Sequence, residues 1–350
     1  MKIYVYPADE YGCGYHRLIW PAQALQAQGH DIQIVMPKQR GFSLHASLDD
    51  SGRVVDVFWP QDADAIVLQR ITHRRLVEAI KLMTQRGLPV IIDMDDDLAA
   101  IDPNNPAWSA MHPRYGYSPD HSWLNTQRAC DVATLVTVST DALLPRYARH
   151  GRGVVLRNKI PERYLKMEHV DSDVIGWAGA LHVHPNDVQV MGPTIATLTS
   201  AGAQFRVVGP RDGVAAALGC SEDVIESTGR RDLLTEWPEA VTTLGVGVAP
   251  LADTRFNEAK SWLKVLEYSA LGVPWIASPR AEYRRAHRES GAGILAEKPR
   301  HWLRAARDLL SSADRRLELS HAGREWAAQH TIEGNAWRWL EAWSSVVAGA

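Results

Sequence analysis

Cysteine is scarce in this chain of 350 residues, and Cys13, Cys130 and Cys220 are far apart, without ligand-like spacing to histidine. That argues against a disulfide framework and against a zinc site. Long apolar runs are lacking too: none approaches the roughly 20 residues needed to cross a bilayer, so no membrane insertion is expected. Met1-Lys2-Ile3-Tyr4-Val5 enters a strand-like segment without the apolar stretch of a signal peptide, and the expected location is the cytoplasm. Nor does one sign of charge dominate. The formal net charge of −3 gives no global attraction for nucleic acid or anionic membranes. The basic clusters Arg70-Ile71-Thr72-His73-Arg74-Arg75 and Arg284-Arg285-Ala286-His287-Arg288 are local and read as solvated helix faces before anything else.

What is present is globular. A hydrophobic content of 45% and a charged content of 23% suggest neither disorder nor a fibrous repeat. The length suits two domains of roughly 150 to 200 residues. Tryptophan is abundant at 13, and Trp337, Trp339 and Trp343 are spaced as a docking stripe near the C-terminus.

Short β-branched runs alternate with segments of helical period, the pattern of parallel sheets joined by crossover helices. Strands are expected at Lys2 to Tyr6, Asp31 to Met36, Asp64 to Leu68, Pro89 to Asp93, Thr134 to Val138 and Val154 to Leu156. The rhythm restarts with Asp173 to Trp177, Gln204 to Val208, Leu244 to Ala249, Pro274 to Ser278 and Gly293 to Ala296. Helices over Ala22 to Gln28, Leu76 to Arg86 and Trp262 to Leu271 each stop at a glycine. The polar stretch from Arg157 to Asp173 reads as the boundary. The expected division is residues 1–165, residues 173–325, and a long terminal helix over 326–350 that packs back on the first domain and explains the tryptophan stripe.

The first strand runs into Tyr11-Gly12-Cys13-Gly14-Tyr15-His16-Arg17, a glycine turn at the mouth of a helix, where backbone can approach a ligand or simply pack tightly. A dinucleotide fingerprint needs a third glycine where Arg17 stands and an acid after the second strand, where Val35-Met36-Pro37 has none, so a nicotinamide or flavin enzyme is disfavoured. The acidic run Asp93-Met94-Asp95-Asp96-Asp97 admits three readings: a divalent-metal site, an acceptor contact, or a helix N-terminus favoured by the dipole.

Phe256 to Ser278 carries the strongest signal. Ser261 is placed to cap a helix whose Leu263, Leu266 and Ala270 share a face, and the free N–H groups there suit a diphosphate. Lys260 and Lys264, one turn apart, add cationic contacts, and Glu267 is placed to accept hydrogen bonds from sugar hydroxyls. The alternative is a Lys264–Glu267 surface pair worth a few tenths of a kcal/mol.

The run Leu266-Glu267-Tyr268-Ser269-Ala270-Leu271-Gly272-Val273-Pro274 resembles the nucleotide-sugar signature of the family 4 retaining glycosyltransferases. Gly12-Cys13-Gly14, Gly29-His30-Asp31, Asn158, Gly176-Trp177-Ala178-Gly179 and the terminal helix fall in that family's order. A Gly-Cys-Gly-Tyr start and Asp95-Asp96-Asp97 are similar to a phage-associated and bacterial subset, for which the location would be a host cytoplasm. The resemblance implies a GT-B fold: two Rossmann-like, doubly wound α/β domains facing a cleft, with a C-terminal helix returning to the N-terminal domain. It implies transfer of a hexosyl or pentosyl group, with retention, from a nucleotide-diphosphate sugar such as a UDP-sugar. It also implies that Glu267 binds the donor ribose. The family's first glutamate would fall at Ala259, and its basic pair after Gly179 is replaced by a stretch containing His182, His184 and Asn186. Arg255, Lys260 and Lys264 become the phosphate partners, and the donor-contact set is Gly12, Gly14, Arg17, Gly179, Arg255, Lys260, Ser261, Lys264 and Glu267. Lys264, Asp96 and His16 are the candidate catalytic residues, and no metal or other cofactor is required by this scheme. The acceptor is open between a DNA base, a protein and a glycan. An epimerase or hydrolase of the same fold, and a non-catalytic binding module, are the rivals.

Overall fold

A computed structural model describes residues 1–37, 44–112 and 121–347. The chain packs as two units: Met1–Pro103, Ala107–Asn158 and Ile332–Ala350 form the first, and Asn104–Pro106 with Lys159–Thr331 form the second.

In the first unit the strands are β1 (Lys2–Tyr6), β2 (Asp31–Ile34), β3 (His45–Leu48), β4 (Val54–Phe58), β5 (Ala65–Gln69), β6 (Val90–Met94), β7 (Leu135–Val138) and β8 (Gly153–Val155). Six of them make one parallel sheet in the order β2-β1-β5-β6-β7-β8. Every residue of β5 and β6 is buried, as expected for strands covered by helices on both faces. The second unit repeats the plan with β9 (Ile175–Ala178), β10 (Phe205–Val208), β11 (Ile225–Ser227), β12 (Val246–Ala249), β13 (Trp275–Ala277) and β14 (Ile294–Leu295), ordered β11-β10-β9-β12-β13-β14 and parallel throughout. Strand order reverses between β1 and β5 in the first sheet and between β9 and β12 in the second. Ligands of doubly wound sheets bind at the carboxyl ends of strands beside such reversals.

Each expected strand is present with its ends moved by at most two residues. The antiparallel β3–β4 hairpin and the edge strand β11 were not expected, because β3 is exposed along its length and β11 is only three residues long.

Two expectations about helices are corrected. Gly12-Cys13-Gly14, expected as a glycine turn at the mouth of a helix, is itself the first turn of a helical stretch that continues through a π-helical segment, Tyr15–Ile19, into Trp20–Ala27. Asp9 Oδ1 secures this start by accepting from the backbone N–H groups of Tyr11 and Gly14, both at 3.0 Å. The terminal segment is not one long helix either. Ala313–Ala328 lies in the second unit, and the chain then breaks where the Ile160 N–H donates to His330 O (3.1 Å) and Thr331 pairs with Ile160. After the break, Ile332–Asn335 and Trp337–Ser344 belong to the first unit. Trp339 and Trp343 are fully buried there among Ile3, Leu18, Leu25 and Val67, while Trp337 is 50% exposed.

Candidate functional site

In the second unit, β9 ends at Ala178 and enters Gly179. A Cβ on Gly179 would stand 2.7 Å from the Trp177 ring. One on Gly209, whose φ is +139°, would stand 2.2 Å from Gly179 O, so the turns after β9 and β10 meet backbone to backbone. The helix Leu263–Ala270 is seated across this end of the sheet by Tyr268. Its hydroxyl donates to Val248 O (3.2 Å) and accepts from the Ala178 N–H (3.0 Å), tying the helix to β12 and β9 on the two sides of the strand reversal.

One turn N-terminal to Tyr268 on the same helix, Lys264 Nζ donates to Ala178 O. Burial pulls the Lys264 ammonium below its ordinary value; the like charge of Lys260 adds to this, and Glu267 and Asp187 oppose it. Glu267 is buried, which pushes its carboxyl up to about 7, against the pull of the Lys264 charge and the Trp237 indole. Lys260 Nζ lies 4.6 Å from the centre of the Phe256 ring, and Lys264 Nζ 6.0 Å from that of Trp237. Lys264 and the turn entering Gly179 are therefore brought together, with Lys260 and Glu267 acting on the Lys264 charge; Glu267 is buried and Lys264 half-buried, not the surface pair that spacing alone allows.

Ser261 is corrected. The cap position of the helix is Trp262, and the Ser261 hydroxyl accepts from the Leu263 N–H at 3.5 Å. Trp262 is buried in edge-to-face contact with Trp326 (5.4 Å) and His330 (5.1 Å), and this packing fixes where the helix begins. Arg255 is exposed on the short helix Arg255–Glu258. Ala259 is 4% exposed.

Sequence reasoning noted His184 without giving it a role and missed Asp187 and Asn257. His184 Nδ1 meets Asp187 Oδ2 at 2.9 Å. Asp187 Oδ1 accepts from the Ala252 N–H (2.8 Å) and from Asn257 Nδ2 (2.6 Å). The three-residue spacing of His184 and Asp187 was a visible signal, whereas Asn257 lies 70 positions from Asp187 and gave none.

The first unit gathers a different set of charges. Arg17 is 0% exposed: its Nε and Nη2 donate to the two oxygens of Asp93, and Nη1 donates to Asn158 Oδ1 (2.9 Å) and Leu156 O. Its guanidinium is thus committed to the core, which leaves no surface for a donor phosphate. Arg70, with a left-handed φ of 50°, donates to both oxygens of Asp95 (2.5 and 2.6 Å), to Asp96 (3.3 Å) and to Cys13 Sγ (2.9 Å). Burial works to raise the Asp95 carboxyl, but the charge and hydrogen bond of Arg70, the Cys13 hydrogen bond and the Arg17 charge together hold the group low. Asp97 pairs with Arg146 at 3.2 Å. Each carboxylate of the acidic run is therefore engaged by an arginine, and among the described residues no group of three His, Cys, Asp or Glu is placed to hold a metal. His16 is 1% exposed, with its ring edge-on to Trp20 at 4.6 Å. A Cβ on Gly14 would lie 1.9 Å from Asp9 O, so Gly14 is needed for helix entry, whereas Gly12 has open space around it.

Residues 172–312 match the family model described as glycosyl transferases group 1. No curated protein matches the sequence. Among solved structures, the chain is similar to sucrose-phosphate synthase from Thermosynechococcus elongatus, at 12% identity over 100% of both chains with a TM-score of 0.69. It is also similar to HepE of Anabaena in complex with UDP, at 14% identity over 99% of this chain and 100% of that one, with a TM-score of 0.64. A glycosyltransferase from Rickettsia africae aligns over 100% of this chain and 99% of its own, at 12% identity and a TM-score of 0.65. The fold is GT-B, and the residues that match the family model lie in the second unit.

Proposed function

We propose that the protein transfers a glycosyl group from a nucleoside-diphosphate sugar to an acceptor hydroxyl or amine, with the donor held in the second unit. The observation that carries this reading is Lys264 held on Ala178 O at the carboxyl end of β9, beside the strand reversal, with buried Glu267 three residues on along the same helix and within reach of its charge. Lys264 and Lys260 neutralise the diphosphate, and Glu267 accepts from the ribose hydroxyls. The bond from the anomeric carbon to the diphosphate oxygen breaks with its electron pair going to that oxygen. The acceptor atom bonds to the anomeric carbon, and its proton passes to the leaving diphosphate or to solvent. The leaving charge is stabilised electrostatically, with no protein nucleophile, as retention of configuration and the family 4 resemblance suggest. The two lysines supply the charge that a metal would otherwise bring, so turnover persists in chelator. UDP is the first nucleotide to try, since HepE is in complex with it. The Gly-Cys-Gly-Tyr start keeps the phage-associated and bacterial subset as the proposed origin, the cytoplasm as the proposed location and a DNA base among the acceptors.

Mass spectrometry of a panel of acceptors incubated with nucleotide sugars tests the reading. Turnover that needs an acceptor supports transfer. Turnover without one replaces it by hydrolysis or epimerisation, and nucleotide binding without turnover replaces it by a binding module.

A further inference from the structure

His184 stands in the stretch after Gly179 where no arginine or lysine is available, and its surroundings are unusually well fixed. Asp187 Oδ2 meets its Nδ1 at 2.9 Å, and Oδ1 of the same carboxylate is held by the Ala252 N–H and by Asn257 Nδ2. Asn257 Nδ2 also donates to Ala252 O (3.1 Å), and its backbone N–H donates to Thr254 Oγ1 (3.2 Å), so the carboxylate is oriented by a braced partner. A carboxylate on Nδ1 fixes the proton there and directs the second ring nitrogen, Nε2, away from Asp187. The Trp177 ring meets the imidazole edge-on at 6.4 Å. The charged groups acting on the ring are Asp187 from its own segment and Lys260 and Lys264 from the segment that leads into the helix Leu263–Ala270.

We propose that His184 is a third cationic contact for the donor diphosphate, taking up a proton at Nε2 from solvent as the diphosphate binds; this rests on the donor reading above. Burial and the two lysine charges hold the ring below the ordinary histidine value, against the pull of Asp187. A diphosphate neutralises the lysines and places negative charge at the ring, which reverses that balance. The Nδ1 proton stays on Asp187's side of the ring, and no covalent bond is made or broken.

The test is calorimetric titration of UDP, GDP, ADP, CDP and dTDP at pH 7 in two buffers of different ionisation enthalpy. Wild type is expected to take up about half a proton more per bound nucleotide than His184→Gln, since the ring would move through its titration range on binding. The comparison cancels protons exchanged by Glu267 and by the phosphates themselves. His184→Gln should weaken binding about tenfold at pH 6 and only about twofold at pH 8, the signature of a charge-assisted bond. Asp187→Asn, which keeps the shape of the side chain, should reduce the extra uptake too, and thermal unfolding of both variants checks that they fold. Equal proton uptake by wild type and His184→Gln overturns this inference alone. Failure of wild type to bind any of the five nucleotides overturns the donor reading and this inference with it.

Discussion

Arg17 grips Asp93 through two parallel hydrogen bonds, Nε to Oδ1 at 3.0 Å and Nη2 to Oδ2 at 2.7 Å, with neither side chain exposed. Thr137 Oγ1 donates to the same carboxylate at 2.7 Å. A buried pair of this kind is costly to break from one side, because the remaining charge is stranded in a low dielectric. Arg17→Met should therefore destabilise the protein by about 3–5 kcal/mol, while Arg17→Met combined with Asp93→Leu should recover much of the loss. Denaturant unfolding measures both, and UDP binding should be unchanged wherever the variant is folded. An unfolding midpoint of Arg17→Met equal to wild type would refute the pair.

Strand rhythm was readable because β-branched runs such as Val90-Ile91-Ile92 are buried on both faces, and burial of that kind writes itself into composition. Charge partners were not. Asp93 looked like a metal or acceptor ligand next to Asp95, yet its partner is Arg17, 76 positions earlier, and the arginine of Asp95 and Asp96 is Arg70, more than twenty positions away. Lys264 and Glu267 were legible because helical spacing places them on one side of one element. The bracing of Asp187 by Asn257 joins two segments that only the folded sheet brings together.

Glu267 gives a pH-dependent prediction. Its folded value of about 7 lies above the ordinary 4.5, so folding favours the protonated form. The protonated carboxyl buries without penalty below about pH 4.5, and that contribution is lost as pH rises through 7. Glu267→Gln, which stays neutral, should thus leave stability nearly unchanged at pH 4.5 and raise it at pH 8, by at most about 3 kcal/mol. Thermal unfolding of the nucleotide-free protein across pH 4.5 to 8 checks this, and a pH-independent difference would sink the burial argument. The same substitution should weaken UDP binding by about 1.5–3 kcal/mol, because a charged acceptor is lost.

The tryptophans of the last helix should separate cleanly. Trp339 is fully buried and donates through Nε1 to Arg17 O at 2.9 Å, and Trp337, two residues earlier, is half exposed. Trp339→Ala should cost about 3–5 kcal/mol through the cavity it leaves. Trp337→Ser should stay within about 0.5 kcal/mol of wild type. Urea midpoints of the two variants decide the matter, and equal losses would contradict the packing described.

Lys264 carries the sharpest kinetic prediction. Its Nζ donates to Ala178 O, at the turn to which the proposed function assigns the donor diphosphate. Charge develops on that diphosphate as the glycosidic bond breaks, so the ammonium contact strengthens in the transition state more than in the ground state. Lys264→Ala should then lower kcat on the order of 100-fold while raising KM far less. Lys260→Ala should be milder, because its ammonium lies over the Phe256 ring while that of Lys264 donates to the turn itself. Steady-state kinetics with UDP-sugar donors measures the split. Near-normal turnover in Lys264→Ala, with loss in Lys260→Ala or Arg255→Ala, would move the phosphate away from this helix by about one turn.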